Sequence, residues 1–177
     1  MLKQRKSNRL RNYDYSQGGY YFITICTQDR IEWFGKIQNG VIELNENGAI
    51  AVKQWIWLGE QYPYVVLDSY AVMPNHFHGI MGINAGNGRG RSLQKIKSLS
   101  ELVGAFKTTS SKLIHRIGVG GFLWQKSFYD HIIRDELSLN RIRKYIMNNP
   151  KQWDTDIENT NNRGDNAGAY YNNIIKA

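Results

Sequence analysis

The order of strand-like and helix-like segments is the feature that most constrains the fold. Segments rich in aromatic and β-branched residues, which are typical of strands, occupy 18–27, 40–44, 64–73, 76–83 and 123–134. Segments with apolar residues at three- and four-residue spacing, which are typical of helices, occupy 47–62, 98–117 and 135–149. This order predicts an α+β fold in which the helices pack on one face of a mainly antiparallel sheet.

Local signals set several boundaries. Ser98 with Glu101 three residues later predicts a capping box at the start of a helix, and Pro150 ends the last helix. The run from Asn84 to Arg91 is rich in Gly and Asn and predicts a loop. We expect one domain over 1–153 and a polar, loosely ordered tail over 154–177.

Composition excludes several classes of protein. The single cysteine, Cys26, rules out an internal disulfide framework and a Cys-rich zinc module. No apolar run approaches the ~18–20 residues of a membrane span, and the basic N-terminus lacks the apolar segment of a signal peptide. We therefore expect a cytoplasmic protein with no membrane partner.

The positive charge is concentrated in the body of the chain. There are 23 Lys and Arg against 15 Asp and Glu, for a net charge of +8. Such a balance favours a polyanionic partner, most often a nucleic acid, which implies nucleoid association, although charge alone also suits a merely soluble protein. The candidate DNA-binding residues are Lys3, Arg5, Lys6, Arg9 and Arg11 in an N-terminal arm, Lys107 and Lys112 on a helix, and Arg141.

Two histidines, His76 and His78, flank Phe77 in a predicted strand. Alternate residues of a strand share a face, so both imidazoles point the same way and Phe77 points to the core. Their α-carbons would lie ~6.6 Å apart, close enough for both to bind one metal ion. Two nitrogen ligands leave positions open for a phosphate and water, as a Lewis-acid site requires. The same pattern also arises from two unrelated surface histidines.

The last predicted helix places Tyr145 and Asn149 on one face, with Arg141 one turn before them. A tyrosine beside an arginine is a candidate nucleophile for a phosphodiester, and packing is the alternative role for any of the eleven tyrosines. Asn149 either offers an amide oxygen to a metal ion or caps the helix before Pro150. No P-loop and no G-x-S-x-G motif occurs, which excludes nucleotide hydrolysis by a P-loop and a serine nucleophile of that type. A tyrosine nucleophile assisted by a metal ion is the chemistry that remains.

Several motifs, taken together and in order, resemble the small single-tyrosine transposases and their REP-associated branch. Residues 72–80 (VMPNHFHGI) are similar to that family's HUH motif, and 145–150 (YIMNNP) to its catalytic-tyrosine helix. The family's N-terminal signature and its strand before the tyrosine helix resemble the segments 5–16, 20–27 and 124–134. The resemblance extends from about Arg5 to Trp153.

The resemblance implies a ferredoxin-like fold, with Mg²⁺ or Mn²⁺ held by His76, His78 and Asn149. It implies that Tyr145 attacks a phosphate of single-stranded DNA near a hairpin, forming a 5′-phosphotyrosine link and freeing a 3′-hydroxyl. The stored ester then allows rejoining without ATP. Members of the wider family act as monomers or as homodimers in which one subunit's tyrosine serves the other's histidines.

Two alternative functions remain open on the sequence alone. One is a domesticated protein that binds hairpin DNA and no longer cleaves it, which would tolerate loss of the Tyr145 hydroxyl. The other is a rolling-circle-type initiator nuclease, although these are usually larger and often carry a helicase domain.

Overall fold

A computed structural model describes residues 14–15, 18–84, 96–162 and 166–176. The strands within these residues are β1 (Gly19–Cys26), β2 (Gly35–Gln38), β3 (Val41–Leu44), β4 (Val65–Met73), β5 (His76–Ile83) and β6 (Tyr129–Ile133). The helices are α1 (Glu46–Gln61), α2 (Leu99–Arg116), α3 (Glu136–Asn148) and α4 (Ala167–Lys176). None of the described helices is long and apolar enough to cross a membrane. The predicted N-terminal arm and most of the predicted loop after Asn84 lie outside the described residues.

The main sheet has the strand order β4-β5-β1-β6, and each neighbouring pair is antiparallel. With α1 between β1 and β4 and α2 between β5 and β6, this is the ferredoxin-like arrangement. The predicted α+β class is therefore confirmed. The central strand β5 is buried along its whole length, so both faces of the sheet need cover.

The helices α1 and α2 cover one face, which we call the crossover face. Their apolar side chains pack with inward-facing residues of the strands in one buried cluster. A close approach is possible here because β5 has a glycine opposite α1: a Cβ at Gly79 would come within 2.7 Å of the Trp55 ring. The capping box predicted at Ser98 and Glu101 is present at the start of α2.

The helices α3 and α4 cover the opposite face, which we call the tyrosine face. This corrects the expectation that all helices pack on one face. The physical reason lies in the two central strands: Phe22 of β1 and Ile80 of β5 point away from the crossover face and are buried against α3 and α4. A sheet that is apolar on both sides must be covered on both sides.

Two strands differ from the predicted ones. β2 was not predicted, although the Asn39-Gly40 turn that joins it to β3 has positive φ at both residues and is the typical signal of a hairpin. The strand predicted over 123–134 is formed only at 129–133, with an isolated bridge between Trp124 and Thr27. The carbonyls of 125–127 converge on the Lys107 ammonium, whereas successive carbonyls of a strand point in alternating directions, so this stretch does not have strand geometry.

The tail that was expected to be loosely ordered is folded where it is described. Residues 149–155 form a 3₁₀ segment and 167–176 form α4. Asp156, Glu158 and Tyr171 are buried against the tyrosine face. Polar composition suggested a solvated tail, but the Asp156 carboxylate is bound by Tyr145 and Asn149, and the Glu158 carboxylate has partners far away in sequence. One partner is Arg30, which forms an ion pair of 2.6 Å with Glu158.

Candidate active site

His76 and His78 lie on β5 with both side chains on the tyrosine face and no solvent exposure. Their Nε2 atoms are 3.0 Å apart. Phe77 between them points to the crossover face, where its ring lies 4.9 Å from Trp55. The structure thus brings together the two imidazoles that the strand alternation predicted to share a face.

The other ring nitrogen of each histidine is held by a neighbouring side chain. Asn75 Oδ1 accepts a hydrogen bond of 2.8 Å from His76 Nδ1, because a carbonyl oxygen can only accept. That bond leaves Nε2 of the neutral His76 ring with a lone pair. His78 Nδ1 lies 2.9 Å from Thr24 Oγ1 on β1. Such contacts fix the ring orientation that a metal-binding histidine needs.

Tyr145 reaches the same point from α3. This helix is capped by Asp135, whose side chain accepts from the backbone N–H of Ser138, and is anchored by buried Ile142 and Ile146. Tyr145 Oη lies 3.2 Å from His78 Nε2. The sequence left open whether the tyrosine and the histidines meet within one subunit, and in this structure a single chain supplies both.

Asn149 lies one turn beyond Tyr145 and is fully buried. Its Nδ2 donates to Tyr145 Oη at 3.2 Å and to Asp156 Oδ2 through a very short contact. Its Oδ1 is buried and has no hydrogen-bond partner among the described residues. An unsatisfied buried carbonyl oxygen is costly, and a bound cation would satisfy it.

Asp156 belongs to the site and was missed by the sequence analysis. It is fully buried, its Oδ2 accepts from Tyr145 Oη at 3.2 Å, and its Oδ1 accepts from the Glu158 backbone at 2.7 Å. Potential ligand atoms of His76, His78 and Asp156 lie within 4.8 Å of one another. The residue follows a 3₁₀ segment in a polar stretch, where no periodicity marks it as buried.

Burial dominates the electrostatics of the site. Desolvation lowers the pKa of His76, although Asp156 and Glu158 oppose it, and lowers the pKa of His78 well below its ordinary value. Burial, with the nearby Asp156, raises the pKa of Tyr145 strongly. Both imidazoles are therefore neutral at neutral pH, the form that binds metals, and the phenol holds its proton.

A further layer of contacts supports the histidines. Burial opposes ionisation of Glu158, but His76 and Arg30 lower the pKa of its carboxyl. The same carboxylate accepts from Tyr171 Oη at 2.9 Å. Asn75 donates to the backbone carbonyl of Glu158 at 2.9 Å and so ties the residue before His76 to this segment.

Of the residues predicted to bind DNA, the three in the described part of the chain are not gathered at this site. The N-terminal group, Lys3, Arg5, Lys6, Arg9 and Arg11, lies outside the described residues. Lys112 is exposed on α2, on the crossover side of the sheet. The Lys107 ammonium binds three backbone carbonyls, and Arg141 Nη1 donates to Ile175 O at 3.4 Å. Their predicted contact with DNA stays a prediction.

Comparison with known proteins identifies the family. Residues 16–149 match the family described as "Transposase IS200 like". An uncharacterized protein of Haemophilus influenzae is 32% identical over 167 residues, covering 88% of this chain and 93% of that one. A second protein of that organism, whose name assigns it provisionally to the REP-associated tyrosine transposases, is 29% identical over 149 residues, covering 80% and 76%.

The fold has a solved counterpart. The structure of a REP-associated tyrosine transposase bound to a REP hairpin superposes with a TM-score of 0.58 at 20% identity, over 82% of this chain and 73% of that one. This similarity shows the fold. The family match over 16–149 ends at Asn149, so the segment with Asp156 lies just beyond it. Taken with the relative 32% identical across nearly its whole length, that match places the chain in the IS200-like transposase family, as its motifs predicted.

Proposed function

We propose that the protein is a metal-dependent transesterase that cleaves and rejoins single-stranded DNA near hairpins, with Tyr145 as the nucleophile. The observation that carries the proposal is the meeting of Tyr145 Oη with His78 Nε2, 3.2 Å apart in one buried cluster. Packing alone would not require a phenol, two imidazoles and two oxygen-bearing side chains to share a dry site. The family match supports a transposase in general terms.

The donor set fits a divalent ion. The residues that would hold it are His76 and His78 through Nε2, with Asn149 Oδ1 and the Asp156 carboxylate as oxygen donors. Nitrogen and oxygen donors together suit Mn²⁺ or Mg²⁺. The chemistry supplied by such an ion, when bound, is polarisation of the scissile phosphate.

The residues of the chain then account for the reaction. Tyr145 Oη attacks the phosphorus, a bond forms between them, and the bond from phosphorus to the 3′ oxygen breaks. Asp156 Oδ2 already accepts the phenol proton in a 3.2 Å hydrogen bond, so it is placed to take that proton and return it to the 3′ oxygen. The phosphotyrosine ester conserves the bond energy, which permits rejoining by the reverse steps.

Access to the site requires local movement. Both histidines are fully buried and Tyr145 is 7% exposed, so a phosphate reaches them only when side chains of the covering segment 153–158, such as Trp153 against the His76 ring, move aside while Asp156 stays in place. The DNA we propose is an unpaired strand next to a hairpin, and the superposed REP-associated transposase is itself bound to a REP hairpin. The basic N-terminal arm is our proposed contact for its phosphates.

A covalent-adduct assay tests this function. Purified protein is incubated with labelled hairpin oligonucleotides from the palindromes flanking the gene, with Mn²⁺ or Mg²⁺, and resolved on a denaturing gel. We expect a metal-dependent, protease-sensitive band that is lost in Tyr145→Phe and His76→Ala. Tyr70→Phe is the matched control, because Tyr70 is 40% exposed and its ring stacks on Phe77 away from the site.

One result of this assay would overturn the proposal. If the hairpins bind and no adduct forms under either metal, the chain is not a nuclease, and the non-cleaving hairpin-binding protein becomes the better interpretation.

A further inference from the structure

A cavity of about 600 Å³ lies beside the site and takes no part in the proposed transfer step. It is bounded by the edge strand β6, by the covering segment at Glu158 and by the start of α4. Its volume falls within the roughly 300–1,000 Å³ typical of pockets that bind small ligands. The members of its lining used below are Thr24, Arg30, Tyr129, His131, Arg134 and Glu158.

The cavity and the candidate active site share a wall. Thr24 lines the cavity, and its hydroxyl lies 2.9 Å from His78 Nδ1. Glu158 lines it too, and its backbone N–H donates to Asp156. A group that occupies the cavity is therefore separated by single side chains from the point where Tyr145 would attack.

Charge divides the cavity into two ends. At the inner end, the Glu158 carboxylate is neutralised by Arg30, whose Nε and Nη2 lie 2.7 Å and 2.6 Å from it. At the outer end, the exposed Arg134 follows the last residue of β6. The buried Asp130 contributes a second carboxylate to the lining. The part of the cavity beside the neutralised Glu158 thus suits a neutral polar group, and the part beside the exposed Arg134 suits an anion.

The walls offer flat surfaces and hydrogen-bonding edges. The ring of Tyr129 is held in place by Tyr171, with centroids 4.6 Å apart, and the half-buried His131 lies two residues further along β6 on the same face. Among the described strands β6 pairs only with β1, and residues 129–132 of this edge strand line the cavity. An aromatic wall beside fixed polar groups matches the needs of an unstacked nucleobase.

We infer that this cavity holds one unpaired nucleotide of the DNA substrate, adjacent to the phosphate that Tyr145 attacks. The base stacks at the Tyr129 and His131 wall, and its phosphate faces Arg134. The inference rests on the proposed function for its substrate class and adds the residues that select the nucleotide at the cleavage point. His131 and Arg134 lie in the segment 124–134, and the inference gives them a role in choosing the nucleotide.

The test uses the full chain without added metal, so that binding is read apart from cleavage. Hairpin oligonucleotides from the flanking palindromes carry one abasic position each, moved step by step through the unpaired flanks, and affinity is measured by fluorescence anisotropy. We expect one position to weaken binding by about tenfold, since base stacking on aromatic side chains contributes on that scale. That position should adjoin the phosphate that becomes linked to protein when Mn²⁺ is added.

Variants then connect the position to the cavity. In His131→Ala the penalty for the abasic position should shrink to about twofold, because the base contact is already lost. Arg134→Ala should weaken binding of the intact oligonucleotide more than Arg116→Ala, which removes an exposed arginine from the crossover side of the sheet. Comparing the two separates a cavity contact from general loss of charge.

The outcomes separate this inference from the proposed function. An abasic profile that is flat, or that is unchanged in His131→Ala and Arg134→Ala, overturns the cavity assignment even if the adduct forms. A His131-dependent position far from the adduct also overturns it. If that position is present and no adduct forms with either metal, the nuclease function fails, and the cavity stands as a nucleotide site.

Discussion

The two faces of the sheet bury very different side chains. On the crossover face most of the fully buried residues are aromatic or aliphatic, with Trp55, Phe77 and Phe106 in mutual ring contact and Ser110 of α2 as a polar exception. On the tyrosine face, the same sheet buries His76, His78, Asn149 and Asp156, together with Glu158. One strand, β5, contributes to both faces through alternate residues.

This difference separates the source of stability from the site of proposed chemistry. Burying apolar area stabilises the fold by roughly 25 cal/mol per Å², whereas burying polar groups costs free energy unless each is satisfied. Asn149 Oδ1 on the tyrosine face and Trp55 Nε1 on the crossover face both lack a hydrogen-bond partner among the described residues. The tyrosine face differs because it also buries ionisable side chains, whose desolvation costs free energy that the apolar packing of the crossover face helps to offset.

The largest expected effect on the free energy of unfolding comes from comparing one substitution on each face. Trp55→Ala removes a fully buried indole, and we expect the free energy of unfolding to fall by about 3–5 kcal/mol. Tyr145→Phe keeps its ring and loses only a hydroxyl, which should cost about 1–2 kcal/mol while abolishing the adduct. Urea denaturation followed by circular dichroism measures both, with the half-exposed Trp57→Ala as control.

The proposed difference between the two faces is wrong if the two variants rank in the opposite order of unfolding free energy. A Tyr145→Phe protein less stable than Trp55→Ala would mean that the polar cluster, and not the aromatic core, holds the fold together.

The crossover face was also the more predictable of the two. The strands β1, β4 and β5 and the helices α1, α2 and α3 follow from local periodicity, and so does the shared face of His76 and His78. The meeting of Tyr145 with the histidines was expected only from the family resemblance. Helical spacing could place Tyr145 and Asn149 together, but it could not orient α3 against β5.

The burial of Asp156 and Glu158 could not be predicted because it depends on partners that are distant in sequence. Glu158 pairs with Arg30, 128 residues away, and potential ligand atoms of Asp156 lie within 4.8 Å of those of His76 and His78. Local pattern reading sees only a polar, Asn-rich stretch there. The apolar residues of α4, which include Tyr170, Tyr171, Ile174 and Ile175, do recur at three- and four-residue spacing, a helical signal that the sequence analysis did not use.

A second prediction concerns metal binding on the tyrosine face. We expect Mn²⁺ to raise the melting temperature of the wild-type chain, since a ligand at 100 times its Kd stabilises by about 2.7 kcal/mol. Asp156→Asn should weaken Mn²⁺ binding by about 10- to 100-fold, the range seen when groups around metal sites are changed. The exposed Asp154→Asn, two residues earlier, is the matched control.

Thermal unfolding at increasing Mn²⁺ concentrations gives the apparent Kd of each variant. Equal affinity in Asp154→Asn and Asp156→Asn would show that the buried carboxylate does not contribute to the site.

A third prediction uses pH to distinguish the faces. The pKa values of His76 and His78 lie below the ordinary 6.5 because both rings are buried, so the unfolded chain binds protons more readily than the folded one. As the pH falls through 6.5, the free energy of unfolding should fall, and it should continue to fall towards the lower folded-state pKa values. The crossover face buries no histidine among the described residues and adds nothing to this slope.

Chemical denaturation of the metal-free chain between about pH 7 and pH 5 measures the slope. His78→Gln should flatten it, and His115→Gln, at an exposed position on α2, is the control for loss of a histidine. An unchanged slope in His78→Gln would mean that the buried imidazole does not resist protonation.

The smallest expected effect concerns how the tyrosine helix is attached to the sheet. The register of β4 shifts between Leu67 and Tyr70, and in this irregular stretch Asp68 accepts from Arg143 of α3 at 2.9 Å and 2.6 Å. The hydrogen bond from Arg143 holds the pKa of Asp68 below its usual range. Because both side chains are partly exposed, we expect their coupling energy to be only about 0.5–1 kcal/mol.

A double-mutant cycle of Asp68→Asn and Arg143→Gln isolates that coupling, and its decrease in about 1 M NaCl would identify it as electrostatic. If the ion pair also orients α3, each single variant should slow adduct formation by more than its loss in free energy of unfolding accounts for. The reason is that Tyr145 lies only two residues after Arg143. Coupling near zero at low salt would instead show that Ile142 and Ile146 alone seat the helix. The polar tyrosine face would then be held in place by apolar packing, as the crossover face is. The two faces would differ in the side chains they bury but not in the interactions that stabilise them.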